Sequence, residues 1–510
     1  MIPNDYQNPI LCADYSDPDI VRVGDDFFMV SSSFNHMPAL PILHSTDLIN
    51  WQIINHVFQA LPLAGYDEYQ PGKGVWAPSL RWHDHKLWVF FSTPDEGIFM
   101  CHTDDPWGQW SAPHCVQPAK GWIDPCPFWD DNGDAWLVHA FAHSRSGIKH
   151  QLQLFAMAPD GTTLRGEGQI IYDGCCDQPT LEGPKVYKRG EWYYIFAPAG
   201  SVETGWQTVL RARSMTGPWV AKNVLFQGNT SVNGPHQGGW VELDDGECWF
   251  VHFQDAHLYG RVVHLQPMRW AADGWPRLGE PLGDDGEGQP VLRWPRPASL
   301  SPSPTIRPQT SDNFTAGLPG LQWQWQANPN SHWLLPGTNS LNLRCVSLPQ
   351  PETKRSIYWQ PNLLLQKFPA WRFSAETSLK LCDGASGDAG GLIVYGERYA
   401  ALLLEKRGAA YQLLWVTGWM SDAGVVREHR QTVAQLEVAA CALKVDVSYG
   451  GICRFAWREE SSPWQTLSQP FAAGKGKWVG AKVGLLAVSL EEHERRGHCA
   501  FDHFAMEIIG

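Results

Sequence analysis

The feature that most constrains this chain is a repeat. Five segments in its first half share one order: an acidic or small residue, usually a proline, an apolar residue, a polar turn, then an aromatic-rich strand. They run from Asp17-Pro18-Asp19-Ile20 to Phe27-Phe28-Met29-Val30, and from Ala77-Pro78-Ser79-Leu80 to Leu87-Trp88-Val89-Phe90. The third runs from Asp124-Pro125 to Trp136-Leu137-Val138, the fourth from Gly183-Pro184-Lys185-Val186 to Trp192-Tyr193-Tyr194-Ile195-Phe196, and the fifth from Gly238-Gly239-Trp240-Val241 to Trp249-Phe250-Val251. Their starts are spaced by 60, 47, 59 and 55 residues. Turns such as Gly24-Asp25-Asp26 and Asp131-Asn132-Gly133-Asp134 have hairpin chemistry. Units of this length, each carrying several short strands, predict a five-bladed β-propeller. The competing arrangement is a row of hairpins in a sandwich; recurrence of the aromatic strand in register favours the propeller.

Prolines 290, 295, 297, 302, 304 and 308, with serines among them, mark a semi-rigid linker. Beyond it the repeat stops and period-2 alternation takes over. Phe373, Ala375, Thr377, Leu379 and Leu381 share one face, as do Leu443, Val445, Val447 and Tyr449. The expected organisation is a propeller over residues 1–290, a linker over 291–310, and a β-sandwich of jelly-roll, lectin-like type over 311–510, an all-β chain throughout.

Composition narrows the partners. The chain has 39 basic against 53 acidic residues, a net charge of −14, which argues against a nucleic-acid backbone or an anionic membrane. It suits a small neutral ligand. The N-terminus lacks a basic segment followed by an apolar core, and no run of about 18 apolar residues occurs. Twelve scattered cysteines without CxxC pairs do not read as a disulfide framework. A cytoplasmic location is therefore expected. The 27 tryptophans recur at blade positions such as Trp88, Trp136, Trp192 and Trp249, or close units at Trp51, Trp110 and Trp219. They are expected to be wedges between blades, with Trp76 as the one that reads a ligand.

In a propeller the first strand of each blade lines the central channel, so residues at equivalent repeat positions meet around one axis. Three blade starts carry an acid: Asp17, Asp124, and Glu182 directly before Gly183. The second unit carries Trp76 there, and the fifth follows His236. Alone, each acid would read as a turn former accepting backbone hydrogen bonds. Three at equivalent positions read as chemistry. Crowded carboxyls disfavour joint ionisation, so at least one should hold its proton near neutral pH. A proton donor, a carboxylate and an aromatic wall are what cleavage of a glycosidic bond requires.

These motifs resemble glycoside hydrolase family 43, the β-xylosidase and α-L-arabinofuranosidase family. The likeness rests on Tyr15-Ser16-Asp17-Pro18-Asp19, Gly74-Val75-Trp76-Ala77-Pro78, Trp122-Ile123-Asp124-Pro125, Leu181-Glu182-Gly183-Pro184 and Gly260-Arg261. In the second domain it extends through Asp312-Asn313-Phe314 and Gly391-Leu392-Ile393-Val394-Tyr395. It implies an inverting hydrolase in which Asp17 is the general base, Glu182 the general acid, and Asp124 the residue that raises the pKa of Glu182 and orients it. By the same resemblance Phe34 closes the sugar subsite, Arg261 contacts sugar hydroxyls or a carboxylate, and His236 holds a hydrated divalent cation such as Ca²⁺. No cofactor is required for the chemistry. Asp14 and Asp19 are expected to serve turns or inter-strand hydrogen bonds, and Trp478 to pack within the sandwich.

The expected activity is exo-hydrolysis of short β-1,4-xylo-oligosaccharides, with arabinofuranosidase activity as a second capacity. A dedicated α-L-arabinofuranosidase and a non-catalytic carbohydrate-binding propeller are the alternatives. The expected partner is a small oligosaccharide, without nucleic acid or membrane, and the chain can form a homo-oligomer.

Overall fold

The computed structural model describes residues 4–492 and 496–509. Residues 19–58, 76–118, 122–173, 185–225 and 236–278 each form a four-stranded antiparallel meander, here blades I to V. Blade IV alone is extended at its outer edge, by Gly288–Gln289 and Glu280–Pro281. The two innermost strands of each blade are the segments that repeat in sequence; in blade I Asp19 pairs with Val30 and Ile20 with Met29.

Each seam between neighbouring blades holds its own apolar cluster. Val30, Ile42 and Val57 of blade I meet Leu80, Val89 and Phe91 of blade II. Trp88 and Phe90 then meet Leu137 and Met157, and Val138 and Leu154 meet Val186 and Leu210. Phe196 and Val209 meet Phe250 and Met268, and Val251 and Trp249 return to Phe27 and Met29. Because a blade faces a neighbour on both sides, both faces of its inner strands are apolar. Hence the near-continuous hydrophobic runs such as Leu87–Phe91 in place of clean alternation. Trp51, Trp110 and Trp219 are buried at the unit ends as expected.

The ring is not closed by strand exchange, because blades I and V are each built from one continuous stretch of chain. The N-terminal segment closes it instead. Asp5–Gln7 pairs with Arg293–Pro295, and Leu11 bridges Val263 of blade V. The Asn8 side chain donates to Leu265 O and Val291 O, each at 2.8 Å, and accepts from Leu265 N at 2.9 Å. All three bonds are buried.

The proline-rich stretch is laid along the propeller rather than spanning free space. Ser303 N donates to the buried Asp47 carboxylate at 3.2 Å, and Arg296 Nη1 reaches it at 3.5 Å. Beyond it, two sheets pack face to face. One has the order Gln324–Trp325, Leu364–Lys367, Lys482–Ser489, Asp388–Tyr395, Arg398–Arg407, Ala410–Met420, Val426–Leu436. The other centres on His498–Ile508, Phe373–Cys382, Ala440–Ser448 and Ile452–Arg458. The alternating face of Phe373–Cys382 points inward as expected. Tyr449 departs from its pattern: the strand ends at Ser448, and Tyr449 is 65 % exposed in a 3₁₀ turn.

Propeller and sandwich share a buried seam. Tyr69 packs among Tyr358, Tyr395 and Tyr399, Met37 bridges Trp325, and Tyr259 OH donates to Trp371 O at 3.0 Å. Among the described residues, no helix is long and apolar enough to cross a membrane.

Candidate active site

One backbone device recurs at every blade start. Asp17, Ala77, Asp124, Gly183 and Gln237 all have positive φ, of 53°, 31°, 57°, 58° and 43°. Proline follows the first four and glycine the fifth. Where this residue falls inside the ladder the register slips, between Trp76 and Ser79, Ile123 and Cys126, and His236 and Gly238. A left-handed bulge of this kind re-aims one side chain toward the rim of a sheet. Holding a non-glycine residue there costs about 1–3 kcal/mol, and four of the five are not glycine. The fold concentrates backbone strain around one axis.

Two sets of side chains result. The left-handed residues form one; the residues just before them, Ser16, Trp76, Ile123, Glu182 and His236, form the other. Members of both line one cavity of about 230 Å³, so the structure brings together Asp17, Asp124, Glu182, Trp76, Phe34 and Arg261. Within the fifth unit the equivalent residue is Gln237, one position earlier than the Gly238 of the sequence alignment, and it lines the same cavity. Gly-Gly replaces the usual proline there, which removed the signal that would have set the register.

Asp17 is 6 % exposed and held from two sides. Ser32 Oγ donates to its Oδ2 at 2.6 Å, and Arg261 Nη1 to its Oδ1 at 3.1 Å. The same Ser32 oxygen accepts from Ala77 N at 2.7 Å, joining blades I and II beneath the carboxylate. Arg261 also donates to Ser16 Oγ at 2.9 Å and lies 4.9 Å from the centre of the Phe253 ring. It lines the cavity, yet its guanidinium is engaged by Ser16 and Asp17.

Asp124 is the most enclosed of the three acids. Its Oδ2 accepts from Gly183 N at 2.8 Å. Burial, and then the negative charges of Glu182 and Asp17, push its carboxyl up to about 8. Asp124 is the more buried of this neighbouring pair, 3 % exposed against 24 % for the Glu182 side chain. Glu182 Oε1 lies 2.9 Å from Nε2 of His236, a fully buried ring. Gly183 is glycine for two reasons: its φ is 58°, and a Cβ there would stand 2.8 Å from Gln237 Cδ.

The aromatic wall has three members. Phe34 meets Trp76 edge-on with ring centres 6.1 Å apart, and Trp478 meets it from the other side at 6.4 Å. Trp478 corrects the expectation of core packing: it is 45 % exposed, with φ of 64°, and lines the cavity. The sandwich therefore supplies part of the wall. Asp14 anchors that loop, accepting from Arg261 N at 2.8 Å and from Gly480 N at 2.9 Å. Asp19, also buried, accepts from Leu80 N and Arg81 Nη1 across the blade I–II seam. Both have the hydrogen-bonding duty expected of them.

The resemblance also gives His236 a hydrated divalent cation. Its Nε2 faces Glu182, which leaves Nδ1, buried without a hydrogen-bond partner, as its one free donor site. Among the described residues there is no group of three or more His, Cys, Asp or Glu placed to hold a metal. This donor set does not fit a protein-held cation, and no step below passes through one.

Residues 6–276 match the family model described as Glycosyl hydrolases family 43, and residues 311–507 that of the Beta xylosidase C-terminal Concanavalin A-like domain. A putative beta-xylosidase of Xylanibacter ruminicola is 36 % identical over 490 residues, covering 95 % of this chain and 87 % of that protein. A beta-xylosidase of Formosa agariphila is 32 % identical over 99 % of this chain and 90 % of its own length. A non-reducing end alpha-L-arabinofuranosidase of Bacteroides ovatus is 28 % identical over 87 % and 84 %. In fold, the crystal structure of a xylan beta-1,4-xylosidase from Bacillus halodurans C-125 superposes with a TM-score of 0.85 at 23 % identity, over 98 % of this chain and all of that one.

Proposed function

The chain belongs to glycosyl hydrolases family 43, and from that premise we propose that it is an exo-acting, inverting β-xylosidase releasing xylose from short β-1,4-xylo-oligosaccharides. Its enzymatic class is glycoside hydrolase. The observation that carries the reading is the trio of acids in one cavity with an indole wall. Two relatives with high coverage are named beta-xylosidases, which favours xylose. A cavity of about 230 Å³ is below the ~300–1,000 Å³ of sites for larger ligands and suits one terminal sugar ring.

The chemistry follows from the positions. Asp17, held by Ser32 and Arg261, takes a proton from the attacking water. Glu182, the acid nearest the mouth by exposure, delivers a proton to the leaving glycosidic oxygen. Asp124 stands beside both acids, held by Gly183 N, with its carboxyl pushed up to about 8 by burial and by the negative charges of Glu182 and Asp17. Trp76 presents an apolar face to the sugar C–H groups. These two proton transfers call for no cofactor. Hydrolysis of the α-L-arabinofuranosyl bond is a second capacity, favoured by the Bacteroides ovatus relative. An oligosaccharide substrate and a cytoplasmic location belong to the same proposal.

Xylobiose hydrolysis followed by ¹H NMR tests it. The first-formed xylose released from the non-reducing end should be the α-anomer. Initial release of β-xylose, or no release of xylose, would overturn the reading.

A further inference from the structure

We propose that Gln237 is a sugar-binding residue whose carboxamide donates a hydrogen bond to one hydroxyl of the pentose in the cavity. The inference rests on the glycosidase reading of that cavity. It starts from the bulge positions. Of the five left-handed residues, Asp17 and Asp124 are acids, while Ala77 and Gly183 have side chains cut back to a methyl group or to nothing. Gln237 is the one neutral residue of the set with a long polar side chain. The missing side chain at Gly183 is what admits it: a Cβ there would stand 2.8 Å from Gln237 Cδ and 3.0 Å from its Cγ. The carboxamide thus lies against the Glu182–Gly183 backbone, beside the acids.

Two unfavourable features persist at this residue. Its φ is 43°, and its Nε2 is buried with no hydrogen-bond partner among the described residues, in a side chain 3 % exposed. Buried amide donors are almost always paired, and an orphan at a cavity wall points to a partner that arrives with the ligand. Two donors that touch Asp17 are already committed. Arg261 Nη1 is on Ser16 and Asp17, and Ser32 Oγ is on Asp17. Three carboxyl groups supply acceptors in excess, so a sugar hydroxyl held among them needs a neutral donor for its lone pairs. Gln237 supplies that donor without adding charge beside Asp124.

The test is Gln237→Met, which keeps the chain length and removes the donor. It is assayed on 4-nitrophenyl β-D-xylopyranoside and on its 2-, 3- and 4-deoxy analogues, with a thermal melt alongside. Wild-type turnover of the parent xyloside checks the glycosidase reading by itself. Given that turnover, kcat/KM of the variant on the parent should fall about tenfold. The loss should vanish on the one analogue lacking the partnered hydroxyl, and the melting temperature should not drop. An unchanged kcat/KM, or an equal loss on all four substrates, would overturn the proposal. Gln237→Asn, which withdraws the carboxamide from the hydroxyl by one methylene and suits left-handed backbone, gives the same comparison should the Met variant fail to fold.

Discussion

Replacing Asp124 by Asn should make the protein more stable, and increasingly so as pH rises. Asn keeps an oxygen to accept from Gly183 N and does not ionise. In the wild type the folded chain holds the Asp124 proton up to about 8, against an ordinary 3.8 in the unfolded chain. Between those values the folded state binds a proton that the unfolded state has released, so stability declines with rising pH. Each pH unit is worth about 1.4 kcal/mol, which sets a ceiling of about 6 kcal/mol over the window. Relaxation and water entry around the ionised carboxyl reduce this, and a gain of about 2–4 kcal/mol for Asp124→Asn at pH 8 relative to pH 4 is expected. Urea unfolding of both proteins at half-unit steps from pH 4 to 8.5, at constant ionic strength, reads the difference directly. The gap in unfolding free energy should widen up to about pH 8 and then level off. A gap that stays constant or narrows with pH would refute the idea that burial and like charge keep Asp124 protonated.

Two further outcomes are expected. Glu182→Gln should lower kcat/KM on xylobiose about 10²–10⁴-fold but far less on 4-nitrophenyl β-D-xylopyranoside, whose leaving group departs without protonation, whereas Asp17→Asn should damage both equally; parallel losses in steady-state assays of both variants would remove the acid role from Glu182. Trp478→Ala, which opens the cavity on the sandwich side, should raise the ratio of activity on xylotetraose to activity on xylobiose at least threefold while shifting thermal stability little, because the indole is already 45 % exposed; product ratios by chromatography check it, and an unchanged ratio would mean that Trp478 does not set the depth of the site.

The site was legible in the sequence to the extent that the repeat extended. Asp17, Asp124 and Glu182 stood out because the Pro after each bulge marks its register, and that mark places residues up to 165 positions apart around one axis. Gln237 lost the mark, since a Gly-Gly pair follows it, and it fell one residue out of alignment. Trp478 was illegible for a different reason. Its place depends on Gly480 meeting Asp14 across the two domains, a contact between residues 466 positions apart that no local pattern encodes. Ser32 lay in a run of three serines whose members differ only in which way the strand turns them. The β-sandwich alternation held wherever one sheet face met the core and failed at Tyr449, where the strand had already ended.

The clasp by which the N-terminal segment closes the ring also orders events during synthesis. Asp17 is made early, but the arginine that holds it lies 244 residues downstream, on blade V. At ~5–20 residues per second a ribosome needs roughly 10–50 s to bridge that interval. Throughout it, Asn8 and Leu11 wait for partners not yet translated. Gly480, which secures Asp14 and with it the sandwich side of the cavity, emerges later still. A nascent chain stalled short of blade V therefore carries all three acids and cannot yet set the base among its final neighbours, so catalytic competence arrives late in translation, with the closing of the circle.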